Sequence, residues 1–387
     1  MYSAGFRKEA RGLREFSVSL KDRLSQLDFI IIFCAFGMNI LSLLVLYGGS
    51  DVWGGKHFII QSIASVLGII TMFILSYLDY DAIISRMSIP IFLLSIFLMA
   101  AVLLFGVDNG MGNKNWIRIP GVPFTIQPSE FVKITFIITF SRHINHVKEH
   151  INNFKNVIML AIHAGIIIGL VLLTGDLGSA LVFMTIMAVM LYCGGLSLWY
   201  FAAAFALIAV LSPFLWSHMK EYQQNRIIYG FSPELDPLKS GYQALLSRSA
   251  ISAGGLFGAG MFGGSVYTTL PQKESDFIFA VLCEKFGFVG GAVYIIFMSI
   301  MVIRLIILSR RARKDYGALI CIGVCALFVA QTLENIGMCL AMLPVVGITL
   351  PFCSYGGSSM LAVYIYLGFV MSISSHNKKY YFERESA

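Results

Sequence analysis

Apolar residues run along this chain in long blocks, separated by short polar or basic breaks. Ten blocks reach or approach one bilayer crossing, about twenty residues. They lie near 29–46, 58–78, 89–105, 129–144, 157–173, 177–192, 198–215, 288–308, 316–340 and 353–373. Such runs predict membrane helices. The expected fold is an all-α polytopic membrane protein with about ten transmembrane helices. The polar stretch 216–276, between the seventh and eighth blocks, predicts one large extramembrane loop, with a short helix over 244–251. Residues 1–28 form a polar N-terminal segment and 376–387 a tail, leaving 29–375 as one transmembrane domain.

Composition agrees. Of 387 residues, 57% are hydrophobic and 13% charged. The net charge is +7, but the basic residues are spread over loops, so nucleic acid is not an expected partner. Instead they sort by side. An even number of spans puts both termini together, with Arg86, Arg142, Lys148, Lys155, Arg310, Arg311, Arg313 and Lys314 in the loops of that side. Short loops opposite hold only Lys56, Lys114 and Arg118. The positive-inside rule then makes both termini cytoplasmic and the 216–276 loop extracellular. No short apolar core with a cleavage site follows the basic residues of 1–28, so that segment is not read as a removed signal. The seven cysteines read as small packing residues, not as a disulfide or metal framework.

Charges beside apolar spans are costly unless paired or used. The stretch LPQKESDFIFAVLCEKFGFVGG, 270–291, carries Lys273, Glu274, Asp276, Glu284 and Lys285. Asp276 precedes the apolar run 277–282. A partly desolvated carboxylate there can accept a proton near neutral pH; the alternative is a helix-start carboxylate favoured by the dipole. In QPSEFVKITF, Pro128 and Ser129 can begin a helix that sets Glu130 and Lys133 on one face. They read either as a structural buried ion pair or as a charged cavity wall facing an anionic head group. Asp176 reads as an N-cap between two spans. Trp116 and Arg118 sit at headgroup level, as belt residue and lipid anchor or as part of a site. The glycine-rich run 254–264 allows close backbone approach to a ligand or is a flexible loop. Gln331, Glu334 and Asn335 share nearby faces of the ninth span. Pro344, Pro351, Gly356 and Gly357 follow and break the helix, which at membrane depth requires a protein or watery cavity around the freed backbone.

Four blocks resemble one family: NWIRI with IQPSEFVKI; GDLGSAL; LDPLKSGYQ with GGLFGAG and LPQKESDFIFAV; and NIGMCLAMLPVVGITLPFCSYGGSS. They resemble the SEDS family of bacterial wall growth (RodA, FtsW, SpoVE), with the closing run somewhat closer to RodA. The resemblance runs from the first span to the end. It implies the SEDS fold, in the bacterial cytoplasmic (inner) membrane with cytoplasmic termini. It implies an inverting glycosyltransferase that polymerises lipid II into glycan strands at the outer face. The implied partners are lipid II, membrane lipids and a class B penicillin-binding protein, the crosslinking transpeptidase. Asp276 matches the family's essential aspartate and is the expected general base. Glu130 and Lys133 match its QPSExxK motif. With Ser129, Trp116, Arg118, Arg248, Gln331 and Asn335 they form the expected substrate-binding set. A leaving diphosphate needs cationic stabilisation, from Lys133, Arg118, Arg248 or a divalent cation such as Mg or Mn; no metal ligands are assigned. The chain departs from the family at Thr174-Gly175-Asp176, where QPD is usual, at Ala259, where the glycine-rich loop usually has Lys, and at Glu284-Lys285, where a Glu pair is common. A lipid II transporter and a non-catalytic scaffold are the competing readings.

Overall fold

The computed structural model describes residues 26–107, 115–118, 125–218, 221–239 and 241–385. The basic cluster expected in 1–28 lies outside the described residues. Thirteen α-helices occur among them: α1 Phe29–Gly48, α2 Ser50–Trp53, α3 Lys56–Tyr77, α4 Tyr80–Phe105, α5 Pro128–Val147, α6 Phe154–Leu173, α7 Leu177–Cys193, α8 Leu198–His218, α9 Glu221–Phe231, α10 Tyr242–Gly254, α11 Ile278–Arg310, α12 Asp315–Cys339 and α13 Gly357–Glu385. Two two-residue strands, β1 Ile117–Arg118 and β2 Thr125–Ile126, pair antiparallel between α4 and α5.

Seven helices (α1, α3, α4, α6, α11, α12 and α13) are long and apolar enough to cross a membrane. The shorter apolar helices α7 and α8 and the charge-bearing α5 bring the set into register with the ten expected blocks. This is a multi-pass membrane protein. Its side-chain distribution is that of a bundle in lipid. Along α3, Ile59, Ile63, Val66, Ile70 and Ile74 face outward while Gln61, Ser65 and Met72 are buried. Polar residues thus point inward, where they link helices. Asn39 Nδ2 of α1 donates to Ser65 Oγ of α3 at 2.9 Å, and Ser42 Oγ donates to the Cys353 carbonyl at 2.6 Å. Such interhelical bonds contribute roughly 0.6 kcal/mol each in lipid. The apolar window of α12 is 78% buried and that of α4 17%, so α12 is central and α4 peripheral. At the opposite end from Asp276, the Asp28 carboxylate caps α1 through Ile30 N and Ile31 N and pairs with Arg304 of α11 at 2.5 Å.

Three boundaries differ from expectation. Helix α4 starts at Tyr80, capped by Asp79, so Arg86 is helical; Pro90 inside it removes one backbone bond without ending it. Helix α11 starts at Ile278, ten residues early, and is interrupted at Gly287 (φ 67°, ψ −165°), a conformation that only glycine adopts readily. Ile278–Phe286 is therefore a separate helical segment ahead of the expected span. Helix α13 runs on to Glu385, across the expected tail boundary at 376. The helix expected over 244–251 is α10. Six cysteines are buried, Cys193 is exposed, and all are free thiols.

Candidate active site

Asp276 stands at the end of a tight turn. The backbone N–H groups of Ser275, Asp276 and Phe277 converge on the Gln272 carbonyl at 3.2, 3.0 and 3.2 Å. The N-cap of α11 is Phe277, with no side-chain cap bond, so Asp276 stands one residue ahead of the helix start. It is half-buried, with Phe277 sealed behind it. The segment joining α12 to α13 folds back over this turn. Ser354 Oγ donates to the Ser275 carbonyl at 2.6 Å and Tyr355 N to the Glu274 carbonyl at 2.8 Å. Asn335 of α12 spends both amide hydrogens here, on Asp276 O at 2.7 Å and Ile348 O at 2.6 Å. Gly347, at φ +72°, lies so close that a Cβ there would stand 3.2 Å from Asp276 Oδ2. Backbone bonds on both sides of Asp276 thus fix where its half-buried side chain starts.

A second polar centre lies at the start of α5. Pro128 occupies the first turn, where its missing N–H costs nothing, and Glu130 and Lys133 follow three apart. Glu130 Oε1 and Lys133 Nζ are 2.7 Å apart, with side chains 3% and 0% exposed. Tyr366 of α13 donates to the Glu130 carbonyl. Asp176 does cap α7, through Ser179 N at 2.9 Å, and it also accepts from Gln127 Nε2 at 3.3 Å. Glu334 of α12 is within electrostatic reach of both Lys133 and Asp176. Several buried atoms here have no hydrogen-bond partner: Ser129 Oγ, Ser179 Oγ, both amide atoms of Gln331, and Glu334 Oε2. Buried polar groups are normally satisfied. Here they gather beside Lys133, whose ammonium donates to Glu130.

Helix α12 joins the two centres. Glu334 belongs to the lysine centre, and its neighbour Asn335 holds Asp276. The returning loop does the same on the other side: Val346 and Ile348 press against Gly178, beside Asp176, while Gly347 presses against Asp276.

The remaining expected residues are more peripheral. Trp116 is half-buried and Arg118 exposed, on and beside the β1–β2 hairpin. Arg248, on α10, pairs with Glu234 at 3.0 Å, both half-exposed. Among the described residues no group of three His, Cys, Asp or Glu side chains converges to hold a metal. Gln127, the second bond of Asp176, Gly347 and Ser354 were not singled out from sequence; the turn-rich run after Pro344 was the available signal for the last two.

The model of the FtsW, RodA and SpoVE cell cycle proteins matches residues 25–379. The chain belongs to this family. Stage V sporulation protein E of Bacillus subtilis is 30% identical over 367 residues, covering 91% of this chain and 98% of that protein. Peptidoglycan glycosyltransferase MrdB of Escherichia coli is 33% identical over 293 residues, 74% of this chain and 78% of that one. Among solved structures, a chain of a peptidoglycan synthase complex that coordinates polymerization and crosslinking superposes with TM-score 0.80 at 26% identity, covering 91% of this chain and 98% of that one. Thermus thermophilus RodA shares the fold, with TM-score 0.68 at 24% identity, covering 90% of this chain and 96% of its own. This FtsW/RodA/SpoVE-family chain therefore has the SEDS architecture, and its Asp276 turn and its Glu130–Lys133 pair are linked through the neighbouring residues Asn335 and Glu334 of α12.

Proposed function

We propose that this protein is a peptidoglycan glycosyltransferase that polymerises lipid II into glycan strands. One observation carries the reading: neighbouring residues of α12 serve both charged groups, Asn335 bonding the Asp276 backbone and Glu334 standing within electrostatic reach of the buried Lys133. Relatives named peptidoglycan glycosyltransferase support it.

In the proposed step, an acceptor sugar hydroxyl attacks the anomeric carbon of the lipid-linked donor. Asp276 accepts the hydroxyl proton as the new C–O bond forms. A positioned base of this kind contributes about 10²–10⁴-fold. The bond from anomeric carbon to diphosphate breaks, and the electron pair leaves with the lipid diphosphate. In this reading Lys133 supplies the cation that the growing negative charge needs, with Glu130 holding its position. Ser129, Gln331 and Asn335 line or support the same wall. Trp116, Arg118 and Arg248 are proposed as outer contacts to the head group. One displacement inverts the anomeric configuration. A divalent cation belongs to the proposal as a counter-ion of the diphosphate, held largely by substrate phosphates.

The charge distribution along the loops supports cytoplasmic termini, 29–375 as the transmembrane domain, and Asp276 at the outer face of a bacterial cytoplasmic membrane. Similarity to the synthase-complex chain supports a class B penicillin-binding partner. The closing sequence run supports a RodA-like role in elongation. Depletion phenotype tests this: rounded cells mark elongation, filaments mark division.

The test of function is incubation of the purified chain, with its partner, with labelled lipid II and moenomycin, comparing wild type with Asp276→Asn. Glycan ladders from wild type alone are expected. Ladders from both remove Asp276 as the base. Ladders from neither, with an active transpeptidase partner, favour a transporter or scaffold.

A further inference from the structure

The run 254–264 leaves the end of α10 as irregular backbone, and the chain then continues through Tyr267 to Asp276. It turns large apolar side chains outward. Leu256, Phe257 and Phe262 are 66%, 80% and 67% exposed, beside Phe288 at 67%. In water such a patch is a liability. Phe288 and Val289 continue it onto the exposed Ile295, Ile296 and Ile303 of α11, the lipid-facing side of a span. The run also sits level with two span ends, because Lys285 Nζ bonds the carbonyl of Gly48, the last residue of α1.

Non-helical backbone at membrane depth is tolerated only where its polar groups find partners without water. Here part of the backbone is matched within the protein. Ala259 N donates to Glu284 O at 2.9 Å and Gly260 N to Lys285 O at 3.0 Å. The carbonyls of Gly255 and Leu256 accept from Phe288 N and Val289 N at 2.8 and 3.2 Å. Lys285 completes the set. Its ammonium is wholly buried and donates to Met261 O at 2.9 Å, Gly263 O at 3.2 Å and Gly48 O at 3.1 Å. It also lies 4.6 Å from the Tyr267 ring centroid. The adjacent Glu284 carboxylate takes the other kind of backbone group, the N–H of Val266 at 2.8 Å and of Tyr267 at 2.7 Å.

We infer that 254–264 is a strap seated in the acyl-chain edge of the leaflet beside Asp276, and that Lys285 supplies the hydrogen bonds water would otherwise make. The occupant of its apolar face is bilayer lipid, because that face continues the exposed apolar side of α11, a membrane-spanning helix. Lys285 is then a positioning residue. With all three donors on carbonyls, it is not a diphosphate ligand.

Nitroxide labels test this in vesicles of phosphatidylethanolamine and phosphatidylglycerol. They are attached at Phe257→Cys and at Phe262→Cys, in a Cys193→Ser background, with Lys239→Cys as the loop reference. The expected result is an oxygen-to-nickel-chelate accessibility ratio several-fold higher at 257 and 262 than at 239. Adding Lys285→Met should lower that ratio at both labels, and Lys285→Arg should restore it. Labels as open to the nickel chelate as Lys239→Cys would overturn the proposal. So would labels shielded from both quenchers, which would mean that protein covers the strap. Should Lys285→Met not fold, the two labels in the Lys285 background still decide.

Discussion

Lys133 and Lys285 are both sealed inside the protein, and they are used in opposite ways. Lys285 spends every donor on backbone carbonyls. Lys133 meets one carboxylate, Glu130, among unsatisfied side-chain atoms. A buried ammonium with all its N–H donors used is architecture; one with donors unused is the kind the proposed reaction calls on. Neither assignment follows from burial or charge alone, since those are the same for both.

The sharpest way to break this contrast is Lys133→Met. It leaves Glu130 buried beside Asp176 and Glu334 with no cation, a cost of about 3–5 kcal/mol. Ladder synthesis should fall to background. The double variant Glu130→Gln, Lys133→Met should regain thermal stability in a detergent melt but not activity. Recovery of ladders in the double variant would return the pair to a purely structural role.

Lys285→Met should be milder for chemistry and still severe for stability. It strands three carbonyls, at about 2–3 kcal/mol after relaxation, so the melt should drop while surviving protein keeps measurable polymerisation. Abolished activity in a protein of unchanged melting temperature would erase the distinction between the two lysines.

Gly347→Ala probes the wall between them. It adds a methyl 3.2 Å from Asp276 Oδ2 at φ +72°, where a Cβ costs about 1–2 kcal/mol. We expect kcat to fall about tenfold with KM little changed, because the carboxylate moves by a few tenths of an ångström.

The smallest effect belongs to the surface pair. The Glu234 carboxyl is held below its ordinary value by a backbone hydrogen bond and by the Arg248 guanidinium. A depressed carboxyl stabilises the fold above its unfolded value and loses that contribution as pH falls through the folded one. The pH dependence therefore falls on the acid side of 4.5, where the contribution is lost, and the contribution present at neutral pH is small because solvent screens it. Glu234→Gln should leave ladder synthesis at the wild-type level and the melt nearly unchanged near neutral pH, flattening only its acid dependence.

Much of this arrangement was legible before any coordinates. Bilayer thickness dictates long apolar runs, so the ten blocks stand out, and the charges of Glu130, Lys133 and Asp276 are conspicuous in so apolar a chain. The helical segment ahead of Gly287 was not legible. Glu284 and Lys285 interrupt its apolar pattern, and they are tolerated only because backbone groups about twenty residues upstream and at Gly48 receive them. The N-cap of Asp176 is local and was foreseen; its bond from Gln127 spans 49 residues and was not. The same holds for Gly347 and Ser354, whose contacts with 275–276 exist only once the last loop has folded back.

Glu334 and Asn335 are consecutive on one straight helix, and this has an evolutionary consequence. Each residue advances an α-helix by about 100°. Inserting or deleting one residue upstream in α12 would swing one centre's contact, or both, away from its wall. The residues around α12 can therefore change by substitution, as at Thr174, but α12 is held to its present length: descendants of this protein can vary its letters and not their count.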